Sequence, residues 1–301
     1  MRSNNQQIEF PILKEKEVSL FMKREDLLHP IISGNKYRKL KYNLVEADRQ
    51  GHDTLITFGG AFSNHIAATA VAGREFDFKT IGIIRGEEVA ENFMENPTLA
   101  MAREYGMRFK FISRTDYRKK EEADFQQALE QEFGRFYLLP EGGTNALAIK
   151  GCAEILATSD VVFDVICCSV GTGGTVAGII NSTCTDQRVL GFSALKGDFL
   201  KEDIRKFAYK ENWDLVADYH FGGYARVTPE LVNFLNNFRK KVNIPLDPIY
   251  TGKMVFGILD MIRNDRFKPE TKILAIHTGG LQGIDGINQV LKKKNEPLIA
   301  L

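Results

Sequence analysis

Residues 54–85 read TLITFGGAFSNHIAATAVAGREFDFKTIGIIR. A β-rich run (54–58) leads into a Gly/Ser/Asn corner, an alanine-rich helical stretch follows, and a second β-rich run closes the segment at 79–85. Strand, short corner, helix and strand in about 30 residues is a β-α-β unit, whose two strands must be parallel and joined by a crossover helix. The pattern continues outward. KTIGIIR precedes the helical NPTLAMAREYG, MRFKFI precedes a charged helix running to Phe133, and RFYLL precedes NALAIKGCAEILA. A second series follows, with DVICCSV before GTVAGIINS, RVLGFSA before DFLKEDIRKFA, and KILAIH before GIDGINQVLKK. Two such series predict two parallel sheets in two lobes, with ligands at the carboxyl ends of the strands between them.

The composition agrees. A chain of 301 residues is long enough for about two domains. Forty Lys and Arg against 39 Asp and Glu give a net charge of +1, so no summed field favours nucleic acid or an anionic membrane. The start, MRSNNQQIEFPILKEKEV, carries no apolar core of a secretory signal, and no apolar run has the length of a bilayer span. Cys152, Cys167, Cys168 and Cys184 form no CxxC pair, which fits reduced thiols in a cytoplasmic protein. The five histidines show no metal-site spacing, and no metal is expected.

Glycine, serine, asparagine and threonine gather at four strand-to-helix corners: FGGAFSNH (58–65), PEGGTN (140–145), SVGTGGT (169–175) and HTGGLQG (277–283). The third follows an apolar run, Val161 to Val170, read as one continuous strand. Gly171, Thr172, Gly173, Gly174 and Thr175 would there offer bare amides to a phosphate at a helix N-terminus. It is neither a P-loop, lacking GK[ST], nor GxGxxG, since Val176 stands at the third glycine. A glycine-rich turn serving only close helix packing, or a nucleotide-binding module, remains open on this motif. Lys36 directly follows Ser33-Gly34-Asn35 in the first turn of an expected helix, where dipole and desolvation lower its pKa toward the nucleophilic amine; the alternative is a solvated basic face of Lys36, Arg38, Lys39 and Lys41. Ser63, Asn64 and His65 stand at a helix N-terminus suited to a carboxylate, although Ser63 alone reads equally as an N-cap. Tyr250 and Tyr224, in LDPIYTGKMVFGI and FGGYARVTPE, are candidate phenols for the cleft.

Phosphate cup, activated lysine, carboxylate corner and phenols together are what pyridoxal 5′-phosphate chemistry on amino acids requires. The chain resembles the fold type II pyridoxal-phosphate enzymes of the 1-aminocyclopropane-1-carboxylate deaminase and D-cysteine desulfhydrase group. GNKYRKL (34–40) is similar to their GNKxRKL, TFGGAFSNH (57–65) to their G-x-x-QSNH, LDPIYTGK (246–253) to their DPVY[TE]GK, and HTGG (277–280) also matches. The resemblance runs from about residue 22 to 281. It implies a two-domain α/β fold of the tryptophan synthase β type, with residues 1–45 and 151–301 as a large cofactor domain, 46–150 as a small one, and the site in the cleft between two mostly parallel sheets. It implies Lys36 as Schiff-base lysine and proton shuttle, Asn64 against the cofactor's phenolic oxygen, Gly171 to Thr175 around the phosphate and Thr278 at the pyridine nitrogen. On the substrate side it implies Ser63, Asn64, His65 and Thr251, with Tyr224 and Tyr250 facing the substrate, and it implies a homodimer. Three positions depart from the pattern: Ser33 before GNK, Phe62 for the usual Gln, and GGLQG for GGAPAL. Deaminases of the group carry Glu and Leu where this chain has Thr251 and Thr278, whereas desulfhydrase-like members carry hydroxyls. The expected reaction is therefore α,β-elimination on a small amino acid, D-cysteine first, with cyclopropane deamination as alternative and cofactor binding without turnover as a reading of another class.

Overall fold

The computed structural model describes residues 2–32, 34–197 and 199–300. Ser33, one of the three departures, and Asp198, which opens the DFLKEDIRKFA segment, lie outside the described residues. Among the described residues there are ten strands: β1 (Asn5–Ile8), β2 (Ser19–Lys23), β3 (Thr54–Gly59), β4 (Lys79–Arg85), β5 (Arg108–Ile112), β6 (Tyr137–Leu139), β7 (Val165–Val170), β8 (Arg188–Ser193), β9 (Trp213–Val216) and β10 (Lys272–Ile276). Helices α1 (Pro11–Glu15), α2 (Asn35–Arg49), α3 (Asn64–Glu75), α4 (Pro97–Glu104), α5 (Arg114–Arg118) and α6 (Ala123–Phe133) occupy the first half. The second half holds α7 (Ala146–Cys152), α8 (Gly174–Ser182), α9 (Leu200–Arg205), α10 (Pro229–Val242), α11 (Thr251–Arg263) and α12 (Gly283–Lys293).

The expected two series form two sheets. One has four parallel strands in the order β5-β4-β3-β6; the other has six in the order β1-β2-β10-β7-β8-β9, all parallel except the β1–β2 pair. Strands covered on both faces read as unbroken apolar runs because alternate residues feed different cores. Thus Val165 and Cys167 of β7 enter one core with α10, α11 and α12, while Ile166, Cys168 and Val170 enter another with α8 and α9. In β3, Leu55 packs with Leu40, Leu44 and Ala47 of α2, and Ile56 and Phe58 with Tyr117 and Leu129 on the opposite face. Each such fully buried side chain contributes about 1.5–3 kcal/mol.

Helix α2 spans residues 35–49, so the expected division at 45/46 falls inside it. Its body packs in the core of the four-stranded sheet, while its tip meets the six-stranded lobe: Asn35 N–H donates to the Thr278 carbonyl at 3.3 Å. Three expectations change. The strand read from Val161 begins only at Val165, because Asp160 accepts from Ala157 N–H at 2.7 Å and Lys23 Nζ at 2.7 Å and closes a single 3₁₀ turn over 158–162. The charged helix ending at Phe133 is two helices, since α5, capped by Ser113, stops before Lys119 and Glu122 is extended. Strands β1, β2 and β9 enlarge the second sheet beyond the reading.

Candidate active site

The carboxyl ends of β3, β7 and β10 converge on a cleft of about 600 Å³, open mouth included, between the two sheets. Lys36, Ser63, Asn64, His65, Gly171, Thr172, Gly173, Thr175, Tyr224, Tyr250 and Thr278 all line it, although they span 243 positions of the chain from 36 to 278. Gly174 and Thr251 do not. Gly174 is the first residue of α8 and is covered by Thr144, whose methyl would lie 2.7 Å from an added Cβ. Thr251 is fully buried behind the wall.

The 171–175 corner is bare for a reason. A Cβ on Gly171 would approach the Tyr250 ring to 3.1 Å, and Gly173 adopts φ +79° as the cap of α8. No side chain caps α8, so its first-turn N–H groups remain for a ligand anion. Lys36 sits on the second residue of α2, its Nζ 3.1 Å from Asn35 Oδ1. Desolvation first, and the neighbouring Lys39 ammonium second, lower its pKa from 10.5 to about 7. The solvated basic face is only partly realised: Lys41 is exposed to a large degree, but Arg38 is buried against Glu25 and Lys39 is buried. Lys39 was missed as a site residue, yet lies one helical turn from Lys36 and donates to the Gly142 carbonyl at 2.8 Å, Thr144 Oγ1 at 2.9 Å and Thr172 Oγ1 at 3.4 Å. It pins PEGGTN to the glycine corner. The shift makes a prediction. The chain freed of cofactor should take up pyridoxal phosphate at a rate rising about tenfold per pH unit below about 7 and levelling off above about 8, as the amine loses its proton. An ordinary lysine would keep accelerating to about pH 10, which stopped-flow absorbance distinguishes.

On the opposite wall Ser63 caps α3, its Oγ accepting from Ile66 N–H at 3.3 Å, and so is both N-cap and cleft residue. His65 is buried with both ring nitrogens unpartnered, against Gly143 at φ +65°, whose Cβ would lie 2.7 Å from the ring. Desolvation, then Lys36 and Lys39, hold its pKa well below 6.5, so the ring stays neutral. Asn64 Oδ1 accepts from Gln282 Nε2 at 2.7 Å.

Tyr250 precedes α11, and the residue that places it is Asp247, a second omission. Its carboxylate accepts from the N–H groups of Ile249 (3.0 Å), Tyr250 (2.8 Å) and Thr251 (2.8 Å). Tyr224 meets Tyr250 edge-to-face at 6.2 Å. Burial raises both phenols, Tyr250 well above 10.0, so they act as neutral donors. The loop bearing Tyr224 is held by Lys253 of α11, which donates to the carbonyls of His220 and Gly223 at 2.9 Å each. In the cleft wall Thr278 Oγ1 lies 3.2 Å from Ser169 Oγ and, behind it, 3.4 Å from Thr251 Oγ1, a row of hydroxyls. His277 Nε2 donates to the Pro245 carbonyl at 2.8 Å while Nδ1 accepts from Gly279 N–H at 3.2 Å, fixing its tautomer and the HTGG turn.

A neutral amine, an uncapped helix N-terminus, a buried imidazole with unused nitrogens and a hydroxyl row suit a phosphorylated aromatic aldehyde, and the residues present fit pyridoxal phosphate. Fold and site define a two-lobed α/β enzyme that uses this cofactor. Residues 5–279 match the family described as pyridoxal-phosphate dependent enzyme, and the chain belongs to that family. It is 31% identical over 292 residues to a putative 1-aminocyclopropane-1-carboxylate deaminase of Pyrococcus horikoshii, covering 90% of this chain and 87% of that protein. It is 32% identical over 301 residues to the mitochondrial bifunctional D-cysteine desulfhydrase/1-aminocyclopropane-1-carboxylate deaminase of Arabidopsis thaliana, covering 90% and 75%. The crystal structure of a 1-aminocyclopropane-1-carboxylate deaminase homologue superposes with a TM-score of 0.83 at 28% identity, covering 97% of this chain and 94% of the other. Among the described residues no helix is long and apolar enough to cross a membrane.

Proposed function

We propose that this chain catalyses α,β-elimination on a small β-substituted amino acid, with D-cysteine as the first candidate: D-cysteine and water give pyruvate, ammonia and hydrogen sulfide. The observation that carries this choice is the hydroxyl row of Thr251, Thr278 and Ser169. Bound pyridoxal phosphate supplies an electron sink for charge left at the α-carbon. A carboxylate beside its ring nitrogen would hold that nitrogen protonated and deepen the sink, as opening an unactivated cyclopropane demands; hydroxyls stabilise the cation far less. The nearby carboxylate of Asp247 is already engaged by three backbone N–H groups. Expulsion of a thiolate next to the α-carbon needs the weaker sink only.

Position in the cleft and the family resemblance together support the remaining roles. Gly171 to Thr175 and the first turn of α8 hold the phosphate, and Thr278 faces the ring nitrogen. Ser63 and the first turn of α3, with His65, receive the substrate carboxylate, and Asn64 beside them offers one amide N–H to the phenolic oxygen of the cofactor and the other toward that carboxylate. Lys36, its pKa lowered to about 7 so that the neutral amine predominates above that pH, takes the proton from the α-carbon. The neutral phenols of Tyr250 and Tyr224 donate to the departing group. Thr251 acts from behind Thr278 and does not touch substrate.

Cyclopropane deamination to 2-oxobutanoate and ammonia is the second reading, favoured by the printed names of the Pyrococcus and Arabidopsis relatives. Holoenzyme mixed in turn with D-cysteine, L-cysteine, D-serine and 1-aminocyclopropane-1-carboxylate should release pyruvate and sulfide from D-cysteine fastest. Faster 2-oxobutanoate from the cyclopropane acid would establish the second reading instead, and changes of the visible band without any keto acid would establish binding without turnover. The family resemblance supports a homodimer, testable by sedimentation, and with four unpaired cysteines a reducing cytoplasmic setting.

A further inference from the structure

Two of the departures from the family pattern, Phe62 and the GGLQG turn, meet at one place. The 60–65 corner of the four-stranded lobe is gripped from two sides by residues 280–286 of the six-stranded lobe. On one side the Phe62 ring fills the space over Gly286, where an added Cβ would come within 2.8 Å of it. On the other, Gln282, the cap residue of α12, donates from Nε2 to Asn64 Oδ1 at 2.7 Å. Gly280, at φ +90°, leaves room for the other end of that amide: a Cβ there would lie 2.6 Å from Asn64 Nδ2. Asn64 is thus walled in by Gly280, Gln282 and Gly283, with only its Nδ2 lacking a protein partner among the described residues.

We propose that Gln282 is a positioning residue that fixes the orientation of the Asn64 amide, so that Asn64 offers a donor and not an acceptor to the phenolic oxygen of bound pyridoxal phosphate. The inference rests on the reading of Asn64 given above. The two ends of a side-chain amide are alike in shape and opposite in hydrogen-bonding sense. An N–H aimed at the phenolic oxygen stabilises negative charge on it and lowers its proton affinity; a carbonyl oxygen aimed there does the reverse. Because Gln282 claims Oδ1, the sense of the remaining end is set. Because Gln282 and Asn64 belong to different lobes, the bond forms only when the lobes are in contact.

The test is a spectrophotometric pH titration of the visible band of the bound cofactor in holoenzyme, with cofactor saturation and melting temperature measured alongside. Gln282→Met keeps volume and removes the donor; Gln282→Glu keeps shape and presents an acceptor to Asn64. Gln282→Met should raise the apparent pKa of the band by about half a unit to one unit, Gln282→Glu by more, and Asn64→Ala by about one unit. The double variant Gln282→Met/Asn64→Ala should titrate like Asn64→Ala, because the first residue acts only through the second. Parent-like titration of Gln282→Met, or shifts that add in the double variant, would overturn the proposal. An unshifted Asn64→Ala would also overturn it, and would locate the failure in the reading of Asn64.

Discussion

Replacing Lys36 with alanine should lower keto-acid formation by about 10³- to 10⁴-fold and abolish the visible band of the bound cofactor. Burial and the neighbouring Lys39 lower the pKa of this amine to about 7, and its hydrogen-bond partner, Asn35 Oδ1, carries no charge; Lys39, also lowered by burial, is tied to the Gly142 carbonyl and the Thr144 and Thr172 hydroxyls. His65 is also neutral but has both nitrogens buried and unpartnered, and Tyr250 and Tyr224 are pushed upward, so none of the three can substitute as base at neutral pH. Lys36→Arg should be nearly as damaging although it keeps the charge, because a guanidinium does not surrender its proton. Added small primary amines should restore part of the turnover in Lys36→Ala. Parent-like product release from Lys36→Ala would remove the basis of the proposed chemistry.

The second large effect is expected at Gly34. Its φ of +63° already disfavours any other residue, and an added Cβ would stand 2.0 Å from the Thr278 carbonyl oxygen and 2.6 Å from Gly279 N. Both obstacles are backbone, so nothing can swing aside. Gly34→Ala must displace either the tip of α2 or the HTGG turn, at a cost of about 3–5 kcal/mol by strain and overpacking. Denaturant unfolding should show that loss, and cofactor affinity should fall with it, because Lys36 and Thr278 are attached to the two backbones forced apart. A methyl at Gly51, which has φ +69° but open space around it, supplies the control: strain without collision, about 1 kcal/mol, and no change at the cleft.

The corners of this fold were legible because parallel strands covered on both faces are apolar throughout, so each run's end stands out where glycine, serine and asparagine begin. The cleft residues carried by those corners, Ser63 to His65 with Gly171, Thr172, Gly173 and Thr175, were legible with them. Lys36 was visible through a position that lysine ordinarily avoids. Lys39 was harder to see, since a lysine three residues on from Lys36 reads as a solvated face until a second element covers it. That element, Gly142 to Thr144, arrives from a hundred residues away. Asp247 carried a local signal that went unused, an acidic side chain three residues before the cap of a helix, followed by proline. Gln282 carried none, because its partner Asn64 is 218 positions distant. Strands β1, mostly polar, and β9, mostly apolar, are four-residue edge pieces too short to show a pattern, and hydrogen bonds from one neighbour each hold them in the sheet.

Helix α2 has its body in one lobe and its tip pinned to the other through Gly34 and the Thr278 carbonyl. Should the four-stranded half swing relative to the six-stranded half, α2 would travel with it and the pivot would fall at that pinned tip. Lys36 stands two residues from the pivot, where leverage is least, whereas Ser63 and Asn64 open α3 and would move with the four-stranded half. On the proposed roles, such a swing would leave the amine aimed at the glycine corner while the space around small molecules at the mouth widened or narrowed.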